Sequence, residues 1–451
     1  MAKLIDRHLT PLGREVLDTF PVVVIEGARQ VGKSTLAQIL TCDRPSRHVT
    51  LDDEASYQTA IDDPTAFVTQ APEATLVIDE IQRAPRLLLA IKAEVDRNRR
   101  PGLYLVTGSS DLLALPALPD SLAGRAVTLR LGGFSQGEIA GVWDDFASWV
   151  RSPEYSPEKV TSKWHREGYV NALSVGSYPE LLNMDPRMRA LWLDSYLNRL
   201  LVRDLGELST GLLANRVSEV LRLVAAAQGS ELVPARIASD VGMPAGSVDA
   251  YLRALKAMHL TYDLPSWTPN LTSREISRRK VVVADSALAM SLNRTQTAAL
   301  MELTASAQLG AELEAFVVAE LTRQKGWSDA DHCLYHFRDR NGTEVDIVIE
   351  YPDGTAFLLE IKASQTPQRT HAKGILTLAE ALGPKFLGGA VLCLTQQSHL
   401  LGDRIWALPI SVLWEHARQI EDPAICMIQP TSASRRPSSA PTDSPTTRLP
   451  L

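Results

Sequence analysis

The 451-residue chain is poor in cysteine: Cys42, Cys333, Cys393 and Cys426 are widely scattered, and no two form a CxxC pair. That sparseness excludes a disulfide framework and a structural zinc site, and it suits a reducing cytosol. Long apolar runs are missing too. Nothing approaches the roughly 18 consecutive apolar residues of a spanning helix, and the opening MAKLIDRHLTPLGREVL has no signal-peptide core. The expectation is therefore a cytoplasmic protein with no membrane partner. Excess positive charge is also lacking, since 46 Lys+Arg stand against 53 Asp+Glu for a net charge of −7. This is the wrong sign for coating nucleic acid or anionic membrane, so any polyanion site must be local. Gly 26 and Pro 27 together sit at background level, which removes collagen-like and linker-dominated chains. What remains is an ordinary globular composition, 45% hydrophobic and 22% charged, long enough for about three domains at roughly 150 residues each.

Changes of texture place the boundaries. Over residues 1–150 short apolar strands alternate with helical segments, the pattern of an α/β layer. Residues 151–300 are helical, with apolar spacing near 3.6 in LWLDSYLNRLLVRDL and SVDAYLRALKAMHL. Residues 301–428 return to α/β, with the helix GAELEAFVVAELTRQ ahead of strand-like EVDIVIE, TAFLLEIKA and GGAVLCL. Residues 429–451 hold 14 Pro, Ser or Thr in 23 positions and no aromatics, the composition of a disordered tail.

The segment PVVVIEGARQVGKSTLAQIL, residues 21–40, reads as a strand, a GxxxxGKS loop and a helix. Gly27 and Gly32 allow the backbone to turn sharply and to bring N–H groups onto phosphate oxygens, and the following helix turns its positive end to the anion. The loop residues Ala28, Arg29, Gln30 and Val31 would wrap ATP together with Thr35. Lys33 would bridge the outer phosphates, and the Ser34 hydroxyl would ligate Mg²⁺. TLVIDE, residues 75–80, is an apolar strand ending in two carboxylates. Asp79 would hold the magnesium, and Glu80 would orient the attacking water, which separates a hydrolytic site from a binding-only one. A third strand, GLYLVTGSS, ends where nucleotide would lie, making Ser109 or Ser110 a sensor of the terminal phosphate or an ordinary helix cap. In SLAGRA, Arg125 is a candidate arginine finger, although a lone loop arginine is more often a surface residue.

GARQVGKSTL, LDD at 51–53, VIDEIQRAP, VTGSS and SLAGR, taken in order, resemble the signatures of a bacterial AAA-plus ATPase family. Its members carry a companion domain of unknown function and a terminal PD-(D/E)XK nuclease-like fold. The resemblance continues through SYPELL, LVRDL, VVVADSALA, GAELEAFVVAEL, FRDRNGTEVDIVIE, LLEIKAS and IWALP, covering nearly everything except the tail. Ser177 replaces a usual glycine, and GAR stands where GPR is common. The resemblance implies an ATP-binding hydrolase using Mg²⁺, with Arg125 as its finger on the nucleotide of its own or a neighbouring subunit. The latter case would make the protein a homo-oligomer.

In the middle, VSEVLRLVAAAQG, VPARIASDVGM and PAGSVDAYLRALKAMHL have the lengths of a helix-turn-helix, with the third helix in the recognition position. The stretch that follows would be a wing, and Arg274, Arg278, Arg279 and Lys280 would form its basic tip. Such a winged helix reads DNA, or packs against the ATPase with a solvated basic loop; both readings stand. In the last unit Asp346 precedes Glu360 by 14 positions and Lys362 by 16. Residues two apart on a strand share a face, so Glu360 and Lys362 project together while Phe357, Leu359 and Ile361 enter the core. Nuclease chemistry of the PD-(D/E)XK kind needs two or three carboxylates around Mg²⁺ plus a lysine, and Glu314 can supply the third carboxylate. The expected fold class is α/β: a P-loop NTPase domain, a helical winged-helix middle and a PD-(D/E)XK-like end that acts on DNA. The competing expectation is a nucleotide-dependent switch whose nuclease fold binds without cutting.

Overall fold

The computed structural model describes residues 4–109, 122–208, 212–269, 274 and 278–415. The tail expected at 429–451 and the alternative sensor Ser110 lie outside the described residues. So do the side chains of the LVRDL segment.

The first unit is a five-stranded sheet of β1 (Val22–Glu26), β2 (Ser46–Thr50), β3 (Thr75–Asp79), β4 (Tyr104–Gly108) and β5 (Ala126–Arg130). Every described pairing is parallel and the order is β2-β3-β4-β1-β5. β1 is an inner strand, between β4 and β5, and buried along its whole length, which is why VVVIE carries no polar alternation. Val23 and Ile25 face a layer containing Leu36 and Leu40 of the helix Lys33–Thr41, with Val16 and Leu17 of the helix Thr10–Thr19. Val22 and Val24 face the opposite layer, with Phe67 and Ile91. Because the strands run the same way, the loops after β1, β3 and β4 leave from one edge of the sheet.

The helices Pro186–Leu208, Ala214–Ala226, Pro234–Val241 and Ala245–Ala257 follow, then β6 (Thr261–Leu264) and β7 (Lys280–Val283) as an antiparallel pair. Gly242, at φ 62°, caps the helix Pro234–Val241 and turns the chain into the next, as GMP predicts. Their core is continuous with the first unit: Tyr178, Tyr196, Val220, Leu255 and Val283 share one cluster with Ile25 and Leu36. On the helix Ala245–Ala257 the expected mixed charges Asp249, Arg253 and Lys256 are all exposed.

The last unit is a six-stranded sheet of β8 (Cys333–Arg338), β9 (Glu344–Glu350), β10 (Ala356–Lys362), β11 (Phe386–Cys393), β12 (His399–Gly402) and β13 (Ile405–Pro409). Its order is β12-β13-β11-β10-β9-β8; β9 is antiparallel to both of its neighbours, β8 and β10, whereas β10, β11 and β13 run parallel. The helix Ser306–Gln324 covers one face, over Ile347, Phe357, Leu359 and Ile361. The helix Lys373–Leu382 covers the other, over Val348, Leu358 and Val391.

Two packing observations bear on the expected organisation. The segment on both sides of the texture change at residue 150 packs with the last unit: Phe146, Val150, Tyr169 and Leu173 belong to its core. Buried hydrogen bonds from Gln136 N to Glu320 (2.9 Å) and from Phe146 N to Gln324 (3.0 Å) tie the same segment to the helix Ser306–Gln324. The stretch expected to be a wing packs on both sides. Ser266 bridges to His336 and Trp267 N donates to His336 O at 2.6 Å, so its first part extends the β8 edge of the last sheet, while Val281 and Val283 enter the core shared with the first unit. An exposed strand edge presents unpaired N–H and C=O groups, and this stretch satisfies some of them here. Among the described residues no helix is long and apolar enough to cross a membrane.

Candidate functional site

Between β1 and the helix Lys33–Thr41 the loop takes two left-handed residues, Gln30 at φ 63° and Gly32 at φ 98°. Gly32 caps the helix, whose first turn carries no acidic residue to cancel its positive end. Gly27 is required for a different reason: a Cβ there would lie 2.1 Å from the Leu131 carbonyl oxygen. Ala28 and Val31 are buried beneath the loop, Thr35 is half-buried and Ser34 is exposed. Lys33 is 5% exposed and its Nζ donates to Gly27 O (3.0 Å) and Ala28 O (2.9 Å). Tyr196, from the helix Pro186–Leu208, donates its hydroxyl to Arg29 O at 3.2 Å, so the middle unit touches this loop directly.

β4 lies between β1 and β3, yet their ends converge. Ser34 Oγ donates to both Asp79 carboxylate oxygens, at 3.0 and 2.9 Å. A hydroxyl and a carboxylate meeting at the mouth of the loop are the hard oxygen donors that Mg²⁺ prefers, so the residues present fit that ion. Thr107, fully buried on β4, donates to Asp79 Oδ1 and accepts from Glu80 N (3.2 Å). Glu80 takes φ 60°, a left-handed conformation uncommon outside glycine, and this turns its carboxylate off the strand line. Gln82 then bridges two expected site residues: its Nε2 donates to Glu80 Oε2 and, at 2.9 Å, to Ser109 Oγ. Gln82 and Ser109 are 5% and 1% exposed. Thr107 and Gln82 were not anticipated. VTGSS contains the threonine, but no spacing rule marks Gln82, which reaches the site from a tight turn.

The structure does not bring Arg125 to this group. It immediately precedes β5, and Ala126 pairs with Val22, the first residue of β1. Arg125 therefore sits at the far end of the sheet, about 13 Å of strand from the loop at roughly 3.3 Å per residue. There it makes a two-pronged pair with Asp96 at 2.6 and 3.0 Å. A finger role on the nucleotide of its own domain is corrected accordingly. The signal was legible in SLAGRAVTLRL, where the strand follows the arginine.

In the last unit the D…ExK residues do come together. Asp346 Oδ2 accepts from Ile361 N at 2.8 Å, drawing it onto β10, where Lys362 donates to Glu360 Oε1. Glu360 is 8% exposed and its Oε2 is buried without a hydrogen-bond partner, an orphaned oxygen that a cation would satisfy. Burial pushes Glu360 up to about 8, and Asp346 adds to this while Lys362 opposes it. Glu314 is likewise raised to about 8, by burial first and then by Asp346, against the pull of Lys280. Gln365, close by in sequence, lies in the exposed loop after β10.

The expected basic tip is not a tip. Lys280 is 1% exposed and stands among Glu314 (2.7 Å), Glu344 (2.8 Å) and Asp346 (3.5 Å). Arg274 pairs with both oxygens of Glu350, at 2.5 and 2.8 Å, over the rings of Trp267 and Tyr335. Arg279 lies 3.7 Å from Asp263. Three of the four expected DNA contacts thus neutralise the protein's own carboxylates, leaving Arg278 as the exposed one. Asp285 caps the helix Ser286–Leu292 through Leu288 N (2.8 Å), as its position suggested, and also accepts from Ser177 N and Oγ (2.6 and 2.7 Å). The serine at the atypical position 177 thereby gains a hydrogen bond that glycine lacks.

Comparison with known proteins agrees with the first of these sites. Residues 19–140 match the family described as AAA domain, residues 166–299 a domain of unknown function (DUF8612), and residues 309–413 another (DUF4143). Residues 19–140 thus resemble an AAA domain, in keeping with the parallel sheet and the glycine loop described above. An uncharacterized protein of Mycobacterium tuberculosis and one of Mycobacterium bovis are each 27% identical over 357 residues, 78% of this chain and 73% of theirs. Among solved structures, a Walker-type ATPase of Pyrococcus abyssi aligns with 64% of this chain and 96% of its own, at 16% identity and TM-score 0.41.

Proposed function

We propose that this protein is a Mg²⁺-dependent ATP hydrolase whose first domain, residues 1–150, passes its nucleotide state through the helical middle, 151–300, to the α/β unit at 301–428. The observation that carries the reading is the convergence of Ser34 Oγ on Asp79 beside Lys33 at the mouth of a glycine loop. Backbone N–H groups of residues 28–34 and the start of the helix would hold the phosphates, and Lys33 would turn to the outer ones. When bound, magnesium would offset the charge that develops on the transferred phosphoryl group. Glu80 would accept a proton from, or orient, the attacking water, and Ser109 would read the terminal phosphate. Tyr196 on Arg29 O supports the transmission step, because a loop that moves with nucleotide carries its contact into the middle unit.

For the last unit, the orphaned Glu360 Oε2 beside Asp346 and Lys362 supports a winged-helix and PD-(D/E)XK-like reading with action on DNA. A second reading, a nucleotide-dependent switch whose nuclease fold binds without cutting, is favoured by the ammonium of Lys280 among the same carboxylates. Arg125 would act only on a neighbouring subunit, which makes a homo-oligomer part of the proposal.

Phosphate release by the wild type, Lys33→Ala and Glu80→Gln, with and without DNA, tests the first half. Turnover by the wild type alone is expected, with nucleotide binding lost in Lys33→Ala and kept in Glu80→Gln. A wild type that releases no phosphate under any condition refutes it. Plasmid cutting in Mg²⁺ or Mn²⁺ that Asp346→Ala and Lys362→Ala abolish would select the cleaving form. Intact DNA retained in a gel, more in ATP than in ADP, would select the switch.

A further inference from the structure

The carboxylates of the last unit are arranged around a protein cation. Lys280 begins β7 in the middle unit, whereas Glu314, Glu344 and Asp346 belong to the helix Ser306–Gln324 and to β9. Its Nζ stands 2.7, 2.8 and 3.5 Å from the three, the spacing of N–H···O contacts and well beyond the 2.0–2.6 Å that Mg²⁺ or Ca²⁺ requires. Among the described residues, no group of three or more His, Cys, Asp or Glu has the geometry to hold a metal ion. Glu314, Glu344, Asp346 and Glu360 supply four negative charges when all are ionised, and Lys280, Lys362 and Arg338, 3.9 Å from Glu344, supply three positive ones. Glu360 Oε2 is left buried with no hydrogen-bond partner. A divalent ion drawn to that oxygen and to Asp346 would share Asp346 with an ammonium a few ångströms away, and two cations that close in a buried site repel strongly.

We propose that Lys280 Nζ is the resident cation of this cluster and that a divalent cation and the ammonium are mutually exclusive occupants. The cluster then accepts Mg²⁺ or Mn²⁺ only when β7 withdraws Lys280. This rests on reading Asp346 and Glu360 as a cation site, but not on ATP hydrolysis, because the exchange is an equilibrium of the nucleotide-free chain. It gives the middle unit a direct hold on the last one: whatever shifts β7 by a few ångströms exchanges a fixed monovalent charge for a divalent ion. It also makes Lys280 a positioning residue for three carboxylates.

The test is Mn²⁺ binding to the full chain without nucleotide, followed by electron paramagnetic resonance in an Asp79→Asn background that removes the carboxylate of the ATP site. Lys280→Met should tighten Mn²⁺ binding at one site by about tenfold or more, and adding Asp346→Asn should abolish that site. Equal, Asp346-dependent affinity with and without Lys280 overturns the proposal and leaves the cation-site reading standing. No binding by either protein overturns both. As a check independent of whether Lys280→Met folds, amine labelling of Lys280 in the wild type is read in parallel by mass spectrometry. Labelling that rises with added Mn²⁺ supports exchange, and a rate indifferent to Mn²⁺ overturns it.

Discussion

Glu312→Gln should stabilise the protein at alkaline pH and leave it nearly unchanged in mild acid. Glu312 is 3% exposed on the helix Ser306–Gln324, and its Oε2 accepts from Gln228 Nε2 at 2.8 Å. Burial raises its carboxyl from 4.5 to about 7, with the hydrogen bonds from Asn293 and Gln228 opposing the rise. Its recorded partners are neutral amides, unlike those of Glu314. A folded-state value above the unfolded one means that protonation favours the native state. The stability this contributes is complete below about 4.5 and is lost as pH rises through about 7. The gap of about 2.5 units corresponds to about 3 kcal/mol at 1.36 kcal/mol per unit, and allowing for relaxation of the site, about 2 kcal/mol is expected. Glutamine keeps an oxygen to accept from Gln228 and does not titrate. Thermal or urea unfolding near pH 8 should therefore place the variant above the wild type by that amount, and the two should converge near pH 4. Equal pH dependence in both proteins, or a variant less stable near pH 8, refutes the reasoning, since either result means that Glu312 is ionised in the fold and held by a favourable interaction.

Two further outcomes follow from the nucleotide site. Gln82→Leu removes the amide that joins Glu80 to Ser109 while keeping volume, and Gln82 Oε1 has no partner to lose. Turnover should fall by about 10- to 100-fold with KM for ATP little changed, the mark of a positioning role and not of lost binding; parallel losses in both would contradict it. Gly27→Ala must displace either the loop or Leu131, since the new Cβ would meet a backbone oxygen at 2.1 Å. Fluorescent-nucleotide titration should show at least about tenfold weaker binding with a stability loss of about 1–3 kcal/mol; wild-type affinity would refute it.

Much of the local geometry at the candidate nucleotide site could be read in advance because its encoding is local. A GxxxxGKS loop with its strand and helix spans twenty residues, and each of its conformational demands falls on a nearby residue, as with the left-handed Gly32. The apolar strand ending in Asp79 and Glu80 is equally self-contained. The D…ExK spacing also predicted real neighbours, because a strand's two-residue repeat carries Glu360 and Lys362 to one side without help from the rest of the chain.

What failed was long-range: the identity of a charged residue does not say which charge it meets, and neither strand direction nor the reach of a turn is written in a local pattern. Arg274, Arg279 and Lys280 read as a solvated basic tip, yet their carboxylate partners lie as far away in sequence as Glu350 and Glu344. Arg125 carried a plausible motif, but strand direction put it at the wrong end of the sheet. Gln82 reaches Ser109 across 27 positions, through a turn that no periodicity marks. The sequence by itself determined the loop, the strand ends and the order of the three units, since these depend on backbone conformation and hydrophobic repeat over short stretches. Only the tertiary structure decided that the buried Lys280 faces three carboxylates, two of them buried, because burial makes an unpaired charge costly and the compensating charge is supplied by whichever distant segment packs there.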